Sequence, residues 1–323
     1  MLQELFRIPW INRPVYGYGL MLVIGFLCAA QLAKYLARRC GFNGDTFVNA
    51  GLLALLTGVI GARLSHVLES LADPKNTEFA RNGQDAWQNF LAMLNVSSGG
   101  LTYYGGFVVA TPVLMWYAIR KRIPLLKGMD IIAPCLMIGL AFGRIGCYMN
   151  GCCYGEECSL PWGASFPYGS NAFVEQYEAG KLKVPAELTV PSQPLNNGLP
   201  RLLTKEEIRG HKDLESLAAG VHARAVQPTE LYSAFNSFLV AGILLVFFSL
   251  APIPGRVFAL MLILDGGSRY ILEMVRVEPA VVWKLSFSMV LGAVFVIAGV
   301  LMWWGCGVMA KQRDGRVLVA PAA

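Results

Sequence analysis

The chain is predicted to be an all-α polytopic membrane protein, with about seven transmembrane helices and a small extracytoplasmic head between helices 4 and 5. Three observations predict this. Of 323 residues, 55% are hydrophobic and only 15% charged, whereas a soluble domain carries about 25% charged residues. Apolar runs of about 20 residues recur, each long enough for a hydrocarbon core of ~30 Å. Lysine and arginine concentrate in alternate short loops, the bias that orients membrane helices.

The apolar runs fall at roughly 15–37, 47–69, 99–119, 128–149, 229–250, 256–275 and 282–304. Each is read as a helix, because lipid offers backbone groups no partner outside the segment itself. The first run is too long for a signal peptide and lacks a small-x-small cleavage site, so it is expected to be retained. Arg38 and Arg39 follow the first run, and Arg120, Lys121, Arg122 and Lys127 lie between the third and fourth. Arg256 lies at the junction of the fifth and sixth, and Lys311, Arg313 and Arg316 follow the seventh. These loops alternate, so all share the cytoplasmic side, with the N-terminus outside and the C-terminus inside. The net charge of +6 is thus topological, and nucleic acid is not an expected partner.

The whole of 1–323 reads as one integral membrane domain, and the segment 150–227 is its head insertion. That segment is too polar to span and is broken by Pro161, Pro167, Pro185, Pro191, Pro194 and Pro200. Within it, Thr204 to Val221 is predicted as a short amphipathic helix, capped by Thr204 with Glu207 three residues on. The loop 73–97, with Trp87 and Phe90, is expected to form a second outer cover.

A charge in hydrocarbon costs ~2.5–3.5 kcal/mol on insertion scales, so ionisable residues inside the apolar runs mark a polar site. Arg63, His66 and Glu69 follow Gly51, Gly58 and Gly61 in the second run; steps of three keep them near one helical face. Arg144 lies between Gly143 and Gly146, where its planar fork suits two-point binding of a phosphate. Asp265, Arg269, Glu273 and Arg276 end the sixth run, and Arg269 and Glu273 are spaced to pair. Glu230 enters the fifth run after Pro228, a residue favoured at helix starts. Gly99 to Gly106, with Tyr103 and Tyr104, predicts a bent entry to the third run. Plainer readings exist for each: a packing ion pair, a snorkelling arginine, an aromatic belt. Of eight cysteines, Cys147, Cys152, Cys153 and Cys158 cluster; disulfides, a metal site or free thiols with a role in the site all remain open.

Taken together, these segments resemble the bacterial prolipoprotein diacylglyceryl transferase family. Gly143-Arg144-Ile145-Gly146, Asn150-Gly151 and Gly155 are similar to its signature GRIGNFxNGE-x-x-G. Tyr18-Gly19-Leu20-Met21 resembles its YGLM, Gly61 to Leu64 its GARL, and Gly100 to Gly106 its GGLSFHGG. Gln227 to Tyr232 resembles its HPSQLYE, and Arg269 to Arg276 its R-x-x-x-E-x-x-R. The motifs occur in family order over roughly 15–280. This chain differs where the family has His at Tyr104, Asn at Cys147, Glu at Cys152 and Tyr at Asp265.

The resemblance implies an enzyme of the bacterial inner membrane that moves diacylglycerol from phosphatidylglycerol to a lipobox cysteine thiol, in the signal peptide of a prolipoprotein, releasing glycerol phosphate. It implies no metal and no cofactor. Arg144 and Arg269 would hold the phosphate, and Tyr104 and Glu273 complete the catalytic candidates. Tyr18, Arg63, His66, Asn150, Gly155 and Tyr232 are the candidates for contact with the substrates, which are membrane lipid and peptide. Two other readings stand beside this one: a paralogue that binds or modifies lipid with another acceptor, and a membrane thiol-redox protein.

Overall fold

The computed structural model describes residues 4–8, 13–72, 93, 103–195, 198–250, 252–274 and 286–319. An antiparallel pair, β1 (Glu4–Ile8) and β2 (Arg13–Tyr16), opens the chain; hydropathy gives no sign of it. Four long helices follow: α1 (Gly17–Arg39), α2 (Gly44–Ala72), α3 (Tyr103–Arg120) and α4 (Leu125–Asn150). An insertion comes next, with α5 (Asn171–Glu178), a 3-10 turn (Ala186–Leu188), β3 (Thr189–Pro194) paired with β4 (Pro200–Leu202), α6 (Lys205–Ile208) and α7 (Lys212–Gly220). Then α8 (Thr229–Ser249), α9 (Arg256–Glu273) and α10 (Phe287–Val319) complete the order.

Each apolar run therefore coincides with a helix. Five of these, α1, α2, α4, α8 and α10, are long and apolar enough to cross a membrane. The protein is an all-α multi-pass membrane protein. α3 is a shorter apolar helix, and α9 carries Arg256, Asp265, Arg269 and Glu273 within 18 residues. Trp87, Phe90 and Arg276, and the residues 99–102, lie outside the described residues.

The chain divides into two compact units, Ala30–Ile132 and the remainder. In the first of these, α2 and α3 pack with almost no side chain between them. A Cβ built on Gly61 would stand 2.6 Å from Gly105 O, and one on Gly106 would stand 2.8 Å from Gly58 O. Small residues let backbones approach this closely, which matters in lipid because dispersion rather than the hydrophobic effect holds helices together.

The other unit uses the same device twice. α9 and α10 touch where a Cβ on Gly292 would stand 2.7 Å from Gly266 O, and one on Gly299 would stand 2.8 Å from Ala259 O. The start of α1 lies on the end of α4: Gly146 leaves room for Tyr18, whose Cδ2 is 3.0 Å from where a Cβ would be.

The insertion has its own core, in which Phe166, Phe173, Leu188 and Val226 are each at most 1% exposed. Tyr168 Oη bonds Leu188 O and Leu203 O at 3.1 and 2.9 Å; burial pushes its phenol up to about 12. Thr204 caps α6 through a full capping box: Glu207 N donates to Thr204 Oγ1 and Thr204 N donates to Glu207 Oε2, at 3.3 and 2.7 Å. The single helix expected over 204–221 is, however, two helices. Gly210 takes a left-handed φ of 88° and its N–H donates to Glu215 Oε1 at 3.0 Å, which ends α6 and starts α7. The insertion's two ends meet: Gly155 N–H donates to Gln227 O at 2.9 Å, and Thr229 Oγ1 donates to Cys153 O at 2.9 Å.

Gly105→Val should lower the melting temperature of the detergent-solubilised protein, by the ~1–3 kcal/mol typical of overpacking. Gly242→Ala, which meets nothing within 4 Å, should leave it within error; fluorescence-detected melting separates the two. Glu207, held at about 2 by the Arg201 fork and the Thr204 bonds, has a depressed folded-state pKa. Its stabilisation is therefore complete above 4.5, the ordinary value, and fades as pH falls towards about 2. The protection of the 204–208 amides, their exchange rate relative to the intrinsic rate at each pH, should fall across that window, and Glu207→Gln should flatten the change.

Candidate active site

The α9–α10 crossing sets up a small cleft lined by charged and hydroxyl-bearing side chains. From α9 it takes Arg269, Leu272 and Glu273, and from α10 Ser288. α4 contributes Arg144, α8 contributes Thr229 and Ser233, and Cys153 comes from the turn after α4. The cleft holds about 30 Å³, roughly the volume of one water, so any larger ligand must engage it at its mouth or widen it.

Arg269 pairs with Asp265 rather than with Glu273: its Nε donates to Asp265 Oδ2 at 2.7 Å. The physical reason is the tilt of helical side chains towards the N-terminus, which carries a long arginine back over the preceding turn. Glu273 is only 8% exposed, and its Oε1 accepts from Ser286 Oγ at 2.8 Å. Arg144 forms no ion pair among the described residues. The cleft thus presents one guanidinium partly neutralised by a neighbour and one that is not.

Tyr18 lies within electrostatic range of Arg144 and of the thiols of Cys147, Cys152 and Cys153. Asn150 bonds through its side chain to Cys152. Gly155 and Tyr232 occupy the joint with the insertion: Gly155 in backbone pairing, Tyr232 as acceptor of Trp162 Nε1–H at 2.8 Å. Gly155 also lines a separate cavity of about 360 Å³. In it Tyr154 Oη donates to Glu175, and burial first, then that carboxylate, raises the Tyr154 phenol. A hydrogen bond from Lys181 holds Glu157 there below the usual carboxylate range.

Arg63, His66 and Tyr104 belong to the unit Ala30–Ile132. Arg63 is 5% exposed and its Nε donates to Met93 O at 2.8 Å. His66 is half-buried, and Tyr104 is the second residue of α3. None of the eight cysteines, all of which lie among the described residues, is in a disulfide. Three of the four clustered in sequence converge, with the Sγ atoms of Cys147, Cys152 and Cys153 within 4.8 Å of one another.

Sequence reasoning missed Thr229, Ser233, Leu272 and Ser288. Thr229 and Ser233 are four apart, one face of α8 beside Glu230, and that spacing was available in the sequence. Nothing in the sequence marks Ser288.

The family model for prolipoprotein diacylglyceryl transferase matches residues 3–305. The chain belongs to that family. A relative from Rhodopirellula baltica is 35% identical over 174 residues, 53% of this chain but only 34% of that protein. One from Clostridium tetani is 27% identical over 289 residues, covering 89% of this chain and 92% of the relative. One from Xylella fastidiosa is 27% identical over 299 residues, covering 90% and 88%. All three are named phosphatidylglycerol–prolipoprotein diacylglyceryl transferase.

In this diacylglyceryl transferase family member, Asp265→Asn keeps an acceptor for Arg269 Nε while removing the neutralising charge. The affinity of the cleft for inorganic phosphate should rise about fivefold, the ~1 kcal/mol worth of a part-exposed pair; calorimetric titration reads it.

Proposed function

We propose that this protein transfers the diacylglyceryl group of phosphatidylglycerol to the cysteine thiol of a prolipoprotein lipobox, at the outer leaflet of a bacterial inner membrane. The observation that carries this reading is the pair of guanidiniums, Arg144 and Arg269, lining one cleft with a buried carboxylate. Phosphatidylglycerol brings a phosphate diester, and arginine forks match phosphate oxygens.

In the reaction, the peptide thiolate attacks the glyceryl carbon that carries the phosphate. The new S–C bond forms as the C–O bond breaks, and glycerol phosphate departs with the extra negative charge. Arg144 and Arg269 stabilise that charge as it develops, which is worth most where water is excluded. Glu273, held by Ser286, accepts the thiol proton; a thiol becomes an effective nucleophile only as its thiolate. Tyr18 and Asn150 contact glycerol or carbonyl oxygens, and Ser233 and Ser288 offer hydroxyls to the headgroup. Tyr232 and Gly155 shape the joint beneath the insertion. Tyr104, a catalytic candidate that stands where the family has His, and Arg63 and His66, candidates for contact with substrate, belong to the other unit and are not among the residues lining this cleft.

The loops rich in arginine and lysine face the cytoplasm in this reading, with the N-terminus outside and the C-terminus inside. The insertion 150–227 then lies as a head on the outer side, where secreted precursors arrive.

The test is purified protein with phosphatidylglycerol vesicles and a lipobox peptide, with the thioether product read by mass spectrometry. The parent should form product. Arg144→Ala should lose about 10²–10³-fold in kcat, the usual cost of one charge-stabilising donor. Absence of product from the parent, or an Arg144→Ala rate equal to it, would refute the proposal.

A further inference from the structure

We propose that Cys147, Cys152 and Cys153 form a binding site for a thiophilic d¹⁰ divalent cation, of the zinc and cadmium type, and that its occupancy weakens anion binding in the neighbouring cleft. The second half rests on the anion-binding role given to that cleft above; the first half does not.

The chain is bent to bring the thiols together. Cys147 lies on the last turn of α4, and the turn that follows it reverses through Gly151 and Cys153, with left-handed φ of 70° and 68°. Cys152 N–H donates to Cys147 O at 3.2 Å, and Cys152 Sγ lies 3.6 Å from the same oxygen. The three Sγ atoms then sit within 4.8 Å of one another. Sulfurs bound at ~2.3 Å around a tetrahedral zinc stand about 3.8 Å apart, so rotation of the thiols by roughly an ångström closes the site. All three are half-buried rather than sealed, which leaves an entry route. Cys158 stands apart from the trio, its backbone paired with Ala225.

The donor set selects the ion. Three sulfurs with no carboxylate or imidazole among them favour soft and borderline cations over magnesium or calcium, and three protein ligands leave a fourth position for water. Asn150, bonded to Cys152, and the Tyr18 phenol in electrostatic range provide the outer partners that orient ligands.

The effect on the cleft follows from charge. Three neutral thiols release three protons when they bind the ion. Three thiolates and one divalent cation then carry one net negative charge where there was none. Cys153 lines the cleft with Arg144 and Arg269, so this charge opposes an incoming phosphate.

The test titrates Cd²⁺ into the reduced, detergent-solubilised full chain and follows the ultraviolet thiolate-to-cadmium charge-transfer band. One equivalent should saturate it and should shield three thiols from alkylation. Cys147→Ser, Cys152→Ser and Cys153→Ser should each weaken binding about 100-fold, and Cys158→Ser should not. Glycerol phosphate affinity, measured by calorimetry, should fall roughly tenfold on loading with cadmium. No band, a band indifferent to all three serine variants, or a disulfide within the trio by mass spectrometry of the unreduced protein would overturn the metal site. Should a variant fail to fold, alkylation shielding in the parent still decides. An unchanged phosphate affinity in loaded protein would overturn the coupling. Failure of the metal-free protein to bind glycerol phosphate would count against the cleft reading, while the cadmium band would still stand or fall by itself.

Discussion

The contact of bare backbone on bare backbone at Gly266 and Gly292 is the constraint on which the site depends. Lipid supplies no hydrophobic force between helices, so α9 and α10 are held by dispersion over surfaces that must fit. Arg269 is three residues beyond Gly266, and its Cβ lies 3.6 Å from where a Cβ on Gly292 would be. Glu273, one turn further, reaches Ser286 just ahead of α10, and Ser288 lines the cleft. A side chain at the crossing would separate these groups by prising apart the helices that carry them.

Charge is then distributed unevenly across the cleft. Asp265 and Glu273 are 6% and 8% exposed, so two carboxylates sit largely out of water near one guanidinium. Each would be costly alone, and each is compensated: Asp265 by Arg269, Glu273 by a hydroxyl. Among the described residues, Arg144 on α4 lines the cleft without an ion pair and is left to an incoming anion. The i to i−4 pairing of Arg269 also fixes its orientation, leaving the two terminal nitrogens of the fork for other acceptors. A planar group clamped through Nε is pre-organised in a way that a lysine could not be.

The helices were legible in the sequence because lipid permits little else: an apolar run of sufficient length must satisfy its own backbone. Arg144, Arg269 and Glu273 were legible for the converse reason, that charge in such a run demands a purpose. Glycines at 58 and 61 signalled close packing, and the α2–α3 crossing uses both. What escaped was set by direction and by local turns. Arg269 and Glu273 have a pairing interval, but side-chain tilt sends the arginine the other way. Thr204 and Glu207 announced a cap, yet the break at Gly210 was hidden inside an acceptable amphipathic pattern. The convergence of three thiols, with Cys158 left out, depends on two left-handed residues that no periodicity reveals. Ser288 enters the cleft only because α10 leans on α9.

The insertion leaves the membrane helices after Asn150 and returns at Thr229, and its two strands of passage are tied together at Gly155–Gln227 and Cys153–Thr229. A loop whose ends are pinned side by side transmits little of its own length to what lies beneath. Changes of length or side chain within this segment therefore leave the spacing of Cys153, Gly155, Gln227 and Thr229 at its base unchanged. The knot at the base isolates the cleft residues Cys153 and Thr229 from rearrangement further out along the insertion.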